Sequence, residues 1–359
     1  MTVDVINPSA YAARTSPFPA ARRALTLSLI ASVLVPLTCL VVYGYLDYDR
    51  RLADINTRLL LLSRVAQEHA LKMLDMNAAL VARTMDLLGN KTRDEIRQRE
   101  PQIHRRLETM VAGYPQIASL SVFGQAGDLI ASSRYSPPPA AAIADRGGFH
   151  ASSPWYPYPY ISLPQYRRID GETVLVSSVA RASDGSWREG VISVALRRKY
   201  LIDFYAHIVG DKPGYIVSLY RREGAALLAS SSPDALTGGL EHDGDFTQAL
   251  RENVIYGGVV QNGSARGDNA QVSFRRVGEY PVYVACTFDF AELRNSWWRS
   301  MVMLAAITLI PGAALATWIS VSLLRLRACE AGWSKPAGDL SGHVTGDASS
   351  PTQQEMKAQ

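Results

Sequence analysis

Two long apolar runs, residues 24–46 and 300–324, bracket a mostly polar stretch at 47–299. Neither run contains a charged side chain, and each is long enough to cross a hydrocarbon core of about 30 Å as an α-helix. A cleaved signal peptide is the competing interpretation of the first run, since Arg22 and Arg23 precede it. Its apolar core would be only about 7 to 15 residues long, however. The pattern therefore predicts two transmembrane helices.

Charge around the two runs predicts their orientation. Basic residues precede the first run and follow the second, namely Arg14, Arg22, Arg23, Arg325 and Arg327. Because cytoplasmic flanks carry an excess of Lys and Arg, both tails are expected inside the cell. The expected layout is a cytoplasmic tail at 1–23, an outer region at 47–299 and a disordered tail, rich in Gly, Ser and Pro, at 325–359.

Composition excludes one class of partner and one source of stability. The formal net charge is +4, and Lys and Arg are dispersed among Asp and Glu without forming a stripe, so no nucleic-acid partner is expected. Of the three cysteines, only Cys286 lies in the outer region. A disulfide within that region is therefore excluded, and it must be stabilised by its own hydrophobic core.

A long helix is predicted directly after the first apolar run. Residues recur there at alternating spacings of three and four, namely Leu52, Ile55, Leu59, Leu62, Ala66, His69, Met73, Met76 and Leu80. This heptad pattern permits a homodimer through the helix 52–80. The alternative is a helix packed against its own domain, which the extra apolar residues Leu60, Leu61 and Leu71 would favour. A second, charged helix is predicted at 92–111.

Strand signals follow the helices. Hairpins are predicted at 118–133, 173–196 and 216–230, because β-rich runs flank short polar turns. Leu129-Ile130-Ala131-Ser132-Ser133 and Leu227-Leu228-Ala229-Ser230-Ser231 occupy equivalent places in two hairpins, which suggests an internal duplication. The predicted fold class is α+β: helices at 47–111, then a larger antiparallel module at 118–208 and a smaller one at 214–288.

An ordered series of short segments carries a family resemblance. The segments are Asp145-Arg146-Gly147-Gly148-Phe149-His150, Tyr160-Ile161-Ser162, Asp184-Gly185-Ser186, Gly214-Tyr215-Ile216 and Ser273-Phe274-Arg275-Arg276-Val277. Together they resemble the double Cache sensor domain, in the versions that precede bacterial diguanylate cyclase or histidine kinase outputs. The resemblance implies two PAS-like modules, a small-molecule pocket in the larger, membrane-distal one, and a periplasmic location at the bacterial inner membrane.

In such receptors, ligand binding shifts the final helix and its attached span. No kinase histidine motif or cyclase signature follows residue 324, so a separate cytoplasmic or membrane signalling partner is expected. Two alternatives are an interaction protein that has lost ligand binding and a truncated remnant of a longer signalling protein.

Arg146 is the first candidate for ligand binding. Its guanidinium group can hold the carboxylate of an organic acid through two hydrogen bonds, and the related Cache pattern places an Arg here. The alternative role is a structural ion pair with Asp145 or Asp170. Amino-acid-binding relatives show a Trp-Tyr pair where this chain has Gly148 and Phe149, which argues against an amino-acid ligand.

Aromatic residues are the second group of candidates. Trp155, Tyr156 and Tyr160 could wall a pocket, although aromatic clusters are more often part of a core. Asp145, next to Arg146, is also a candidate for ligand binding, and Arg181 is a weaker one.

Catalytic signatures are absent from the sequence. It contains no Gly-x-Ser-x-Gly elbow, no His-Glu-x-x-His and no phosphate-binding loop. The histidines His69, His104, His150, His207 and His242 lack the spacing of metal ligands. A sensor without enzymatic activity, cofactor or metal is therefore the leading hypothesis.

Overall fold

The computed structural model describes residues 18–140, 159–167, 171–183, 186–232, 245–261 and 270–333. Two compact units divide the chain, one of residues 1–46 with 300–359 and one of residues 47–299. The sequence also permits a short helix at 141–149, a stretch that lies outside the described residues.

Two long helices enter the first unit. Helix α1 is Phe18–Leu88 and the last helix, α6, is Phe290–Trp333. Each contains a segment long and apolar enough to cross a membrane. Large apolar side chains are exposed in these segments, for example Leu27 at 66%, Ile310 at 69% and Trp318 at 68%. Such continuous apolar exposure is costly in water and is expected of helices that face lipid.

The outer unit, residues 47–299, contains the remaining elements. Its helices are α2 (Arg93–Gln98), α3 (Glu100–Val111), α4 (Arg198–Val209) and α5 (Asp245–Arg251), with a 3₁₀ turn at Glu223–Ala225. Its strands are β1 (Ile117–Gly124), β2 (Leu129–Ser132), β3 (Tyr160–Ile161), β4 (Gln165–Tyr166), β5 (Thr173–Ser183), β6 (Ser186–Arg197), β7 (Tyr215–Arg221), β8 (Ala226–Ser230), β9 (Tyr256–Gln261), β10 (Ala270–Arg276) and β11 (Val282–Asp289). The fold class is α+β, as predicted.

The single helix predicted at 92–111 is two helices. Thr92 begins α2 with a capping box, in which its side chain accepts from the Glu95 amide and the Glu95 carboxylate accepts from the Thr92 amide. The chain then leaves helical geometry at Arg99, and Pro101 occupies the first turn of α3. Because proline has no amide hydrogen to donate, it favours a helix start over a helix interior.

Two antiparallel sheets share one strand order. The larger module has the order β2-β1-β6-β5-β3, with β4 also pairing with β5, and the smaller module has β8-β7-β11-β10-β9. The repeated Ser-Ser pairs that end β2 and β8 make the same hydrogen bonds. The Ser133 hydroxyl accepts from the Leu120 amide at 2.9 Å, and the Ser231 hydroxyl accepts from the Val217 amide at 3.0 Å. The duplication suggested by the sequence thus has a counterpart in strand order and bonding.

Helix α1 packs on its own domain through the heptad positions. Leu59, Leu62 and Leu80 are at most 8% exposed and belong to the core that α1 forms with the strands. The Tyr280 hydroxyl, at the β10–β11 turn, also donates to the Asp75 carboxylate on α1 at 2.9 Å. The heptad pattern had two alternatives, a homodimer interface and packing against the chain's own domain. For Leu59, Leu62 and Leu80 the second one holds. They are therefore unavailable to a second copy as long as the domain is folded.

Candidate ligand-binding face

Four serines and a tyrosine form one row across the larger sheet. Cα pairing joins Ser132 to Ser121, Ser121 to Ser193, Ser193 to Ser178, and Ser178 to Tyr160, on strands β2, β1, β6, β5 and β3. Directly opposed residues of antiparallel strands project to the same face of the sheet. We call these five residues the serine row.

The serine row lies on the face of the sheet that points away from α1. Neighbouring residues such as Leu120, Val194 and Ile192 alternate with it and belong to the core that contains α1. Ser178 and Ser193 are each 4% exposed, and their hydroxyl oxygens are 2.9 Å apart. A buried hydroxyl without a hydrogen bond costs about 1 to 3 kcal/mol of unfolding free energy, and the hydrogen bond between these two serines avoids that cost. The row therefore presents serine hydroxyl groups, of which those of Ser178 and Ser193 are hydrogen-bonded to each other.

The equivalent row of the smaller module has a different character. Cα pairing gives Ser230, Ser218, Ala285, Phe274 and Gly257 in the same order across the strands. Phe274 thus stands where the larger module has Ser178, and Gly257 where it has Tyr160. A Cβ on Gly257 would lie only 2.8 Å from the Phe274 Cζ atom, so the phenyl ring needs that glycine.

Helix α5 completes the aromatic filling of that smaller face. The rings of Phe246 on α5 and Phe274 have centroids 5.4 Å apart, and Tyr220 lies 5.3 Å from Phe246. Phe246 and Phe274 are at most 2% exposed. The face of the smaller module is an aromatic core, whereas the matching face of the larger module carries the serine row.

Tyr160 links the serine row to the smaller module. The Arg221 Nη1 atom, at the end of β7, donates to the Tyr160 hydroxyl at 3.3 Å and to the Ile161 carbonyl at 3.2 Å. The Arg221 guanidinium carbon also lies 5.8 Å from the centre of the Tyr160 ring. Strand β3 is thereby attached to β7 through a cation near an aromatic ring and a direct hydrogen bond.

Arg181 lies on the opposite face of the larger sheet. It is 4% exposed, and its Nη2 atom donates to the carbonyls of Gly89 at 3.0 Å and Lys91 at 2.6 Å, just beyond the end of α1. The structure therefore does not bring Arg181 and Tyr160 to one face.

The remaining candidates are outside the described residues. Asp145, Arg146, Trp155 and Tyr156 fall there, so their roles in ligand binding, like that of Arg181, stay predictions.

An arginine cluster borders the serine-row face. The Glu172 carboxylate is 3.4 Å from Arg134 Nη1, 3.5 Å from Arg167 Nη2 and 3.4 Å from Arg197 Nε. Arg167 Nη1 also donates at 3.0 Å to the hydroxyl of Ser119, which precedes the serine row by two residues on β1. Sequence reasoning missed this cluster, because its members come from the segment after β2, the β4–β5 turn and β6.

Two of the described histidines, His69 and His104, make core and backbone contacts. His69 on α1 stacks on the Phe204 ring with centroids 3.5 Å apart. Burial, together with the charge of Lys72, lowers the pKa of His69, so its ring is neutral at neutral pH. His104 Nδ1 lies 2.7 Å from the Ser132 carbonyl. Within the described ranges, no three His, Cys, Asp or Glu side chains are grouped to hold a metal ion.

Comparison with known structures identifies the fold. The extracellular domain of a protein assigned as a histidine kinase, rpHK1S-Z16, matches with a TM-score of 0.55 and 22% identity, over 66% of this chain and 95% of that domain. The ligand-binding domain of the Pseudomonas aeruginosa PAO1 chemoreceptor PctB, in complex with L-Arg, gives a TM-score of 0.49 and 15% identity, over 67% of this chain and 97% of that one. For the sensory domain of the Campylobacter jejuni chemoreceptor Tlp3 with isoleucine bound, the values are 0.47 and 14%, over 68% and 95%.

No protein-family model matches the sequence, and no curated protein matches it. The first of the three structural matches, taken with the two sheets and the long first helix, shows that this chain has the fold of that extracellular domain, which agrees with the fold that the resemblance to the double Cache family implies.

Proposed function

We propose that this chain is a membrane-anchored sensor whose larger outer module binds a small molecule on the serine-row face. One observation carries the proposal. Two sheets of equal strand order differ on one face, which is a filled aromatic core in the smaller module and a row of small hydroxyl groups beside Tyr160 in the larger. Ligand sites combine concave space with a few placed polar groups, and the larger module supplies such groups.

Membrane anchoring follows from the two apolar helical segments that flank the outer unit in sequence. With the basic flanks, they support a two-pass topology with both tails in the cytoplasm and the outer unit in the periplasm of a bacterial inner membrane. The test is a reporter fused between the modules, near Gly210, whose signal shows on which side of the membrane it lies. We expect the reporter to lie outside the cytoplasm. A reporter that lies in the cytosol would contradict this topology.

A route from the ligand face to the second membrane helix is part of the proposal. Arg221 attaches β3 to β7, β7 pairs with β11, and β11 ends at Asp289, directly before α6 begins at Phe290. A ligand that favours one arrangement of β3 would therefore bias the arrangement of α6. The signal would then reach a signalling protein in the membrane or cytoplasm.

A homodimer through the helix 52–80 would use a different side of α1 from the buried heptad positions. Leu60, Leu61 and Val65 are 53%, 60% and 47% exposed and form an apolar patch there. If this patch pairs two copies, Leu61→Asp is expected to abolish the dimer of the detergent-solubilised chain while leaving the monomer folded. A dimer that survives this change would exclude pairing through this patch.

The decisive test of ligand binding replaces two residues of the larger module with their counterparts in the smaller one, Phe274 and Gly257. The double variant Ser178→Phe/Tyr160→Gly reproduces the Phe274 and Gly257 arrangement and should fill the serine-row face without unfolding the sheet. We expect the wild-type chain to be stabilised against heat by at least one compound from a panel of organic acids, amino acids and polyamines. The double variant should remain folded and lose that response.

Two outcomes would refute the proposed function. A folded wild-type chain that responds to no compound in the panel would argue against small-molecule sensing. A response that persists in a folded double variant would show that the ligand does not bind at the serine row.

A further inference from the structure

A histidine ring lies in the contact between α1 and α4. His69 on α1 stacks on Phe204 of α4, with ring centroids 3.5 Å apart and an angle of 10° between the ring planes. Two more rings of α4, those of Tyr200 and Tyr205, have their centroids 6.1 Å and 6.4 Å from that of His69. We call His69 and these three aromatic residues the histidine contact. It joins α1 to the helix that connects the two sheets.

One ring nitrogen of His69 is enclosed by this packing. Its Nδ1 atom is buried and has no hydrogen-bond partner among the described residues. A neutral imidazole tolerates this position when its proton is on Nε2, because Nδ1 then carries only a lone pair. An imidazolium ion carries a proton on both nitrogens, so Nδ1 would become a buried donor without an acceptor. Such a donor loses its hydrogen bond to water and gains none in return, and the closed contact therefore disfavours the protonated ring.

The charge nearest to His69 also disfavours the protonated ring. Burial, and after it the positive charge of Lys72 one turn further along α1, hold the pKa of His69 below its usual value. The preceding residue of α1, Glu68, is exposed. The Phe204 ring can attract a cation, but this attraction is generally smaller than the cost of a buried charged donor that lacks an acceptor.

The other titratable groups at the histidine contact supply no negative charge to balance a proton. Tyr205 is fully buried, and burial raises its pKa. Cys286 on β11 faces Tyr205, and burial raises the pKa of this thiol as well. Both groups are therefore neutral at and below neutral pH. On the exposed side of α4, Lys199 and Asp203 form an ion pair with each other at 2.8 Å.

Helix α4 occupies a place where a loosened contact would affect both modules. It begins at Arg198, directly after β6 of the larger sheet, and the chain continues from it into β7 of the smaller sheet. Arg198 Nε donates to the Leu228 carbonyl on β8 at 2.7 Å, which attaches the start of the helix to the smaller module. Its partner in the histidine contact, α1, is one continuous helix from Phe18 to Leu88. The histidine contact therefore joins this long helix to the connection between the modules.

We propose that the histidine contact gives the outer unit a further function as an acid sensor, in which uptake of a proton by His69 separates α4 from α1. Above about pH 6.5 the ring is neutral whether the contact is closed or open. As the pH falls below this value, an open contact with an ordinary histidine pKa binds the proton and becomes more populated. At about pH 5 the gain is at most roughly 30-fold, because each pH unit below 6.5 contributes a factor of ten.

Hydrogen exchange of the full chain in lipid nanodiscs tests this proposal at about pH 7.5 and about pH 5. Exchange times are scaled for the pH dependence of the chemical exchange rate. We expect the amides of α4 in the wild type to lose protection by roughly 3- to 30-fold at the lower pH. His69→Phe keeps an aromatic ring against Phe204 but cannot take up a proton, so its α4 should be equally protected at both pH values. The matched control is His207→Gln, which removes an exposed histidine of α4 and should behave as the wild type does.

A second variant, His69→Gln, covers the case in which a phenyl ring at this position prevents folding. Its side chain is neutral at both pH values, so it too should lose the pH dependence, whatever its protection at about pH 7.5. Protection of α4 that does not change with pH in the wild type would overturn the proposal. A pH-dependent loss that persists in either folded variant would also overturn it.

The location of the loss is the last criterion. A loss of protection spread evenly over the whole outer unit would be general acid unfolding and would overturn the proposal as well. The test uses no ligand and does not change the serine row. Acid sensing can therefore fail while ligand binding stands, and the reverse also holds.

Discussion

The orientation of α1 gives a quantitative prediction that compares two nearby leucines. Leu59 is 1% exposed within the core, whereas Leu61 is 60% exposed. Truncation of a fully buried leucine to alanine costs about 2.7 to 5 kcal/mol of unfolding free energy, because the transfer free energy is lost and a cavity remains. Truncation at an exposed position changes stability by no more than about 0.5 kcal/mol. Each kcal/mol moves the unfolding temperature of a domain of this size by roughly 2 to 4 °C, so Leu59→Ala should lower it by about 5 to 20 °C.

Circular dichroism of the outer region, residues 47–299, measures both variants during thermal and denaturant unfolding. Repeating the measurement over a range of protein concentrations separates the two roles of α1. Loss of core packing is independent of concentration, whereas loss of a dimer contact is not. The reasoning is refuted if Leu59→Ala stays within about 1 kcal/mol of the wild type, or if its destabilisation disappears on dilution.

Three further predictions follow from particular contacts. Gly257→Ala should cost about 1 to 3 kcal/mol in denaturant unfolding, because its Cβ would lie 2.8 Å from Phe274 Cζ and overpack the smaller module. Asp128→Asn should flatten the acid limb of a stability-versus-pH curve. Burial opposes ionisation of Asp128, but hydrogen bonds from Arg93 and its own backbone amide, with the neighbouring arginine charges, hold its pKa below the usual value. The wild type therefore gains stability from this carboxylate above about pH 4 and loses it as the pH falls through the lowered pKa. Arg221→Met should speed amide hydrogen exchange in β3, with little change in global stability, because it removes the donor from β7.

Matched controls make these predictions sharper. Gly258→Ala meets its nearest atom, the Val272 carbonyl oxygen, at an ordinary 3.7 Å and should be far milder than Gly257→Ala. Asp203→Asn alters an exposed pair with Lys199 and should leave the acid limb intact. Arg222→Met should not change exchange in β3. Equal effects in test and control variants would contradict the contacts described here.

Features that are encoded locally could be read from the sequence. The two apolar segments follow from composition alone, and the hairpins follow from β-rich runs around turn residues. The duplication was visible because Ser133 and Ser231 each accept a hydrogen bond at the same place in a hairpin, which constrains the same short segment twice.

Features that depend on register across distant strands could not be read in this way. The heptad spacing predicts a buried stripe on α1 but does not say which surface covers Leu59. The serine row requires the pairing of five strands, because Ser121, Ser178 and Ser193 are separated by long stretches of chain. The break at Arg99 is a different case, because Pro101 is a local signal for a helix start and the prediction of one helix at 92–111 did not use it.

The junction between β11 and α6 also matters for receptor engineering. Asp289 ends the strand, Phe290 begins the helix, and the Asp289 carboxylate accepts from the Ala291 amide at 2.8 Å. No linker is present there to absorb an added residue. A one-residue insertion just after this junction would turn every later position of the helix by about 100° and advance it by about 1.5 Å, whereas seven residues would nearly restore the original phase. Chimeras that graft this outer unit onto another span must therefore preserve helical phase.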